Sequence, residues 1–201
     1  MKGVLSICLF VIVLLTGWQS LVSGFDLPHY ILPSPMRVVT AFTTHFWLIL
    51  RHATVTFSEV MLGLIFGALL GGMTAIALAA SPVIRAVMRP MMVLSQALPV
   101  FALAPILTLW LGYGLVPKII MALLIIYFPV TSSFFDGLMR TPSGMLDMAR
   151  VMGAKPSAIL LHIRIPAGVP GLASGMRLAA VYAPIGAIIG EWVGASEGLG
   201  Y

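Results

Sequence analysis

Charge is what this sequence has least of. Only 8% of its 201 residues are charged, against about a quarter in soluble domains. So few charges cannot cover a folded surface in water, and an ordinary soluble domain is excluded. Cysteine is nearly absent as well. Cys8 stands alone inside an apolar run, so no intrachain disulfide can form and no cysteine cluster has zinc spacing; it reads as a small apolar residue of a span. The four histidines, His29, His45, His52 and His162, are dispersed, and none has a ligand partner at a helical spacing of four, which argues against a metal site. The 11 Lys and Arg residues outnumber 6 Asp and Glu but form no run, so the net charge of +5 is not read as a nucleic-acid footprint. Ser143 and Ser174 each precede a glycine, but neither has a histidine placed by sequence to activate it, so the chain is not read as an enzyme and no cofactor is expected.

What is present is apolar. Hydrophobic residues make up 60% of the chain and the mean hydropathy is +1.09. A helical span takes about 20 residues, so the length allows several. The first runs from about 4 to 22 after Lys2, and its length favours a retained anchor over a cleaved signal peptide. Residues 23–52 are more polar and contain Pro28, Pro33 and Pro35. They read as a loop and a short helix, with Ser34 as cap, Pro35 in the first turn, and residues 37–50 along or entering the interface. The second span, 53–80, carries Gly63, Gly67 and Gly71 at spacing four, a flat stripe that lets another helix approach closely. Residues 81–90 form a loop. The third span, 91–111, contains Pro99 and Pro105; the carbonyls they free must be satisfied by protein or by a wet pathway. After a tight turn at 112–117 the fourth span runs over 118–135, and residues 136–175 form the longest polar stretch. The fifth span, 176–195, carries Ala179, Ala183 and Ala187 beside Gly186, Gly190 and Gly194.

The fold class is therefore all-α, a polytopic transmembrane bundle with about five spans. Residues 1–52 form an N-terminal anchor and outer loop, and 53–201 a membrane domain. With the N-terminus inside, eight basic residues (Lys2, Arg85, Arg89, Arg140, Arg150, Lys155, Arg164 and Arg177) fall on the cytoplasmic side and three (Arg37, Arg51 and Lys118) on the outer side. That bias places the 136–175 loop in the cytoplasm. Glu191 lies within the fifth span, where a charge is costly and faces a pathway or a partner. Glu59, near the start of the second span, is expected to pair with Arg51 or His52 at the interface or to be solvated. Trp18, Trp47, Trp110 and Trp192 fall near span ends, as an aromatic belt does.

The cytoplasmic loop reads as two short helices with a break between them. Gly153 can end the first in a left-handed conformation, Pro156 suits the first turn of the second, and Pro166 is expected to stop it. Met145, Met148, Ala149 and Met152 are expected to share one face of the first helix, and methionine faces suit adaptable docking. Asp147-Met148-Ala149, then Gly153 after three residues, then Ile163 after nine, then Ile165-Pro166 together resemble the EAA loop of ABC importer permeases. The departures from that pattern are Asp for Glu, Met for Ala and Ile for Leu. The likeness extends over nearly the whole chain. Leu32-Pro33-Ser34-Pro35, Leu98-Pro99, Ala104-Pro105, the stretch Leu109-Trp110-Leu111-Gly112-Tyr113-Gly114, Phe128-Pro129 and the final Gly198-Leu199-Gly200-Tyr201 resemble the type I (MetI-like) subfamily that serves sulfonates, taurine, nitrate and pyrimidine precursors.

The resemblance implies a multi-pass permease subunit of the bacterial inner membrane, paired with a second copy of itself among membrane lipid. It implies docking on separate ATPase subunits through Asp147, Ala149, Gly153, Ile163 and Pro166, and supply by a periplasmic or lipid-anchored substrate-binding protein. ATP hydrolysis is expected in another chain, because no Gly-x-x-x-x-Gly-Lys-Ser/Thr phosphate loop occurs here. Such permeases continue through a further span after Gly-Leu-Gly-Tyr, where this chain stops, so a last span is expected to be missing. The stretch from Ala183 to Gly194 looks most like the branch that handles thiamine pyrimidine precursors, with sulfonates as runner-up. An ATP-independent secondary transporter is the alternative that the interior prolines leave open.

Overall fold

The computed structural model describes residues 2–194 and 196–201, and among them every regular element is helical. The chain divides into two compact units, 1–51 and 52–201. In the first, α1 (Lys2–Gly24) is mostly apolar, and Leu5–Gly24 is long enough to cross a membrane. Helix α2 (Pro35–Thr44) begins as its sequence predicts: Ser34 Oγ accepts the Arg37 N–H at 3.4 Å, and Pro35 stands in the first turn. The cap satisfies one of the four donors that a helix start leaves open. No residue of α2 is buried.

The second unit is organised around α6 (Leu115–Met139). Helix α3 (Phe46–Ala80), which starts ahead of the predicted residue 53 and belongs to this unit from residue 52 on, turns its glycine stripe onto α6. A Cβ at Gly63 would lie 2.7 Å from Ala122 Cβ and one at Gly71 3.0 Å from Val130 Cγ1, while one at Gly67 would overlap Ile126. Helix α9 (Ile165–Gly194) lays its own small residues on α6 as well. There a Cβ at Gly186 would come within 2.7 Å of Ala122 Cα, and one at Gly190 within 3.0 Å of Lys118 Cα. Residues at spacing four share a helix face, and without side chains the backbones approach closely enough for dispersion contacts to hold them. The first stripe and Gly186 and Gly190 of the second thus share α6 as partner, while Gly194 meets Thr108 of the helix before it. Ile126, Val130, Ala179 and Ala183 form one buried cluster of this packing, and Leu78, Phe134, Phe135 and Leu138 belong to another. Because the Gly186 contact is with backbone, Gly186→Val is expected to destabilise by roughly 1–3 kcal/mol through overpacking. Gly72→Val in α3, where an added Cβ meets nothing within 4 Å, serves as control. Equal melting midpoints of the two variants in detergent would refute the packing role.

Three sequence expectations need correction. The expected loop at 81–90 and the single span at 91–111 are together a broken helix pair, α4 (Pro82–Ser95) and α5 (Val100–Leu111), bent by 98°. Pro99 has no N–H and pushes the residue before it out of helical geometry, so one helix ends and another starts. The long polar loop is mostly helical: α6 extends to Met139, and α7 (Ser143–Val151) follows. Pro166 does not end a helix. From Pro156 the chain runs through α8 (Pro156–Ile159), a π-helical turn (Leu160–Arg164) and α9 without a stop. The Ile165 N–H donates to the Leu160 carbonyl five residues back, so the hydrogen-bond ladder has already widened where the proline ring enters. The predicted end of the fifth span at residue 195 lies outside the described residues. By length and composition four helices can cross a membrane, or five when the bent pair counts as one span.

At one end of the unit Arg85 closes α3. Its Nε donates to the Leu78 carbonyl at 3.0 Å, and its guanidinium lies over the Phe135 ring, 5.3 Å from the centroid. A cation on the last carbonyls complements the negative end of the helix dipole.

Candidate coupling segment and buried polar cluster

The predicted coupling residues lie in and around α7. Gly153 adopts φ +79°, the left-handed conformation that costs a side-chain-bearing residue most. Its N–H donates to the Arg150 carbonyl at 2.9 Å, and the Ala154 N–H donates to the Ala149 carbonyl at 3.0 Å. This pair of bonds is the Schellman ending of a helix. The accompanying apolar contact is also present: Leu146, Ala149 and Ile159 are buried together, with Ala154 and Ile163 packed against them. The corner between α7 and α8 is therefore fixed by backbone bonds and a small core. Ala149 belongs to that core, which corrects the face expected from sequence. Met145, Met148 and Met152 remain exposed, at 51%, 65% and 77%, and form an outward apolar face without it. Asp147 is exposed as well, and its Oδ1 accepts from Arg150 Nη1 at 2.7 Å. Pro166 lies at the exposed start of α9, beyond the π-helical turn.

Glu191 is far from these residues, at the other end of α9. It is 1% exposed, in a polar cluster that the sequence did not reveal. Thr56 Oγ1 donates to Glu191 Oε1 at 2.6 Å, and the Gly200 N–H donates to Glu191 Oε2 at 2.5 Å. Lys118 Nζ donates to Glu59 Oε1 at 2.7 Å, with both side chains almost wholly buried, and the carboxyl groups of Glu59 and Glu191 are neighbours. The expected pairing of Glu59 with Arg51 or His52, or with water, is replaced by this ion pair, and Lys118 is not a water-facing topology marker. The reason is cost: a lone charge at membrane depth is expensive, and pairing offsets part of it. In the sequence these are only isolated charges of opposite sign near three span ends, with nothing local to pair them.

The chain's last residues fold onto the cluster. The Gly198 N–H donates to His52 Nδ1 at 2.9 Å, which puts the imidazole proton on Nε2, and the Leu199 N–H donates to Thr56 Oγ1 at 2.8 Å. Gly198 has φ +126°, and a side chain there would collide with the Glu191 carboxylate. Three successive backbone N–H groups thus land on three side chains of α3 and α9. Main-chain donors carry no residue-type signature, so this contact was not readable from the residues.

Comparison with known proteins agrees with this architecture. Residues 63–201 match the model of the family described as binding-protein-dependent transport system inner membrane component. A probable ABC transporter permease protein of Haemophilus influenzae is 51% identical, over 96% of this chain and 79% of its own length. The formylaminopyrimidine transport permease protein ThiX of Halalkalibacterium halodurans is 33% identical, over 96% of this chain and 77% of its own length. The riboflavin transport system permease protein RibX of Chloroflexus aurantiacus is 31% identical, over 93% and 70%. With a family model covering more than half of the chain and helices fit to cross a membrane several times, this protein belongs to the binding-protein-dependent inner-membrane components, the permeases of ABC importers.

Proposed function

We propose that this chain forms the membrane pathway for a small pyrimidine-type solute, and that it is driven through the α7–α8 corner by a separate ATPase. The observation that carries the reading is that corner itself. An exposed methionine face, with Asp147 beside it, is held rigid by the Gly153 turn in the stretch whose spacing follows the EAA loop. A rigid, protruding apolar helix face suits a groove on a partner. In this reading Asp147, Ala149, Gly153, Ile163 and Pro166 transmit the closure of the ATPase, Ala149 and Ile163 by holding the corner and Asp147 by direct contact. Arg85, Arg89, Arg140, Arg150, Lys155 and Arg164 fall on the same side of the predicted topology, which supports a cytoplasmic position for α7. Two copies of the chain pair, and a soluble binding protein delivers solute at the opposite face. The 33% identity to a formylaminopyrimidine permease supports the choice of solute.

Uptake of labelled formylaminopyrimidine and of taurine, by cells expressing the chain with its ATPase and binding protein, tests this. Formylaminopyrimidine is expected to enter, and entry is expected to depend on the ATPase and to survive a protonophore. Uptake of taurine alone would move the assignment to sulfonates. Uptake that needs no ATPase and collapses with the ion gradient would make the protein a secondary transporter.

A further inference from the structure

A groove runs along the contact of α6 and α9, and its polarity changes in one direction. On α6 the residues Leu124, Phe128, Ser132 and Asp136, and Arg140 at its C-cap, are spaced by four, so they form one row. The row passes from apolar through hydroxyl to charged. Two cavities lie along it. One, of about 480 Å³, is bounded by the break between α4 and α5, where Ser95 and Gln96 stand, and by Phe128, Ser132, Ser133 and Tyr182. The other, of about 430 Å³, is lined by Asp136, Arg140, Thr141 and Ser174. Ser133 lines both, so the two meet there. Each has the size of a small-molecule pocket.

The hydroxyls mark this surface as wet. In a membrane helix a serine or threonine usually satisfies itself on the carbonyl one turn back. Thr131 does so on Tyr127 and Ser174 on Pro170. Ser132 and Ser133 have no such bond among the described residues. Pro129 adds to the need, because without its N–H the Ile125 carbonyl loses its usual donor, and both residues line the first cavity. Groups like these are stable at membrane depth only against water, solute or protein.

We infer that this groove is the solute track of the permease, with a chamber at the α4–α5 break built for a small, flat, uncharged heteroaromatic solute. The chamber offers the Gln96 amide, the hydroxyls of Ser132 and Ser133, that of Ser95 (which itself donates to the Met92 carbonyl at 2.7 Å) and the Tyr182 phenol for hydrogen bonding to a ring edge, two aromatic side chains for its faces, and no charge. The Asp136–Arg140 end, at the side of α7, is the exit. The inference rests on the transport reading above and deepens it.

Thiol labelling tests the track without reference to any solute. In a Cys8→Ser background, Ser132→Cys, Ser133→Cys and Leu69→Cys are compared in the complex with its ATPase, using a membrane-impermeant methanethiosulfonate. Leu69 is an exposed apolar residue of α3 outside the groove. A thiol reacts as thiolate, which needs water, so the two groove positions are expected to react roughly tenfold faster or more than the control. Gln96→Ala and Ser133→Ala are each expected to raise the KM for formylaminopyrimidine roughly tenfold, the loss of one hydrogen bond, with little change in maximal rate. Groove labelling no faster than the control would overturn the inference whatever solute is carried. Unchanged KM in both alanine variants would overturn the chamber. Fast labelling in a complex that takes up neither formylaminopyrimidine nor taurine would support the track and remove only the solute assigned above.

Discussion

Replacing Lys118 with methionine is expected to lower the stability of the folded chain by roughly 3–5 kcal/mol, the range seen when one partner of a buried ion pair is removed. Glu59 is fully buried, its Oε1 is held by Lys118 at 2.7 Å, and its Oε2 has no hydrogen-bond partner among the described residues. Without the ammonium group the carboxylate stays in a low-dielectric site beside a second carboxyl group, that of Glu191. The double variant Lys118→Met/Glu59→Met removes both charges and keeps the volume, and it is expected to recover most of the loss, because apolar residues of similar size replace buried pairs at little cost. At about 2–4 °C per kcal/mol for a chain of this size, the single variant should melt on the order of 10 °C lower in detergent. If single and double variants melt together, the pair contributes nothing specific and the cluster is only a solvated end of the bundle. The same cycle separates stability from transport: a double variant that melts normally yet fails in uptake would give the charges a part in the conformational change.

How much of this was legible depends on the range of the interaction. The glycines at 63, 67 and 71, and at 186, 190 and 194, were readable as stripes because spacing four is local. Their partners, α6 for all but Gly194 and Thr108 of α5 for that one, were not, because nothing in one sequence states which helix lies against which. The Ser34 cap and the left-handed Gly153 were readable for the same local reason, and both are present. Pro99 and Pro166 carried the same signal with opposite outcomes. The first breaks a span by 98°. The second is absorbed by the preceding π-helical turn, a long-range compromise with the packing of α9 on α6. The charged cluster departs from expectation at Glu59 and Lys118 because the two partners lie on different helices, 59 residues apart in the chain. Glu191 was singled out as a costly charge, but its ligands include the Gly200 backbone N–H, which has no side chain to betray it. On α7, helical spacing alone could not tell that Ala149 turns inward while the three methionines turn out; the small core with Leu146 and Ile159 decides it.

In the coupling segment the largest effect is expected from Gly153→Asp: uptake should fall to a tenth or less, and the ATPase should no longer co-purify, while the amount of protein in the membrane stays unchanged. A Cβ at Gly153 meets open space, so the variant does not disturb the bundle by collision. Its effect has two other sources. The φ of +79° costs a non-glycine residue about 1 kcal/mol or more, which weakens the two bonds that set the angle between α7 and α8. The new carboxylate also stands at the exposed corner beside Met152, where an apolar face has to enter a groove. A tenfold loss corresponds to about 1.4 kcal/mol of docking free energy, and the two effects together exceed that. Gly144→Asp is the comparison. It lies in the first turn of α7, also in open space but without a positive φ, and an acidic residue there favours the helix start. It should leave uptake close to wild type. If Gly153→Asp retains both uptake and ATPase capture, the corner does not couple. If both variants lose them equally, added charge on this face, and not the left-handed turn, is what the partner rejects.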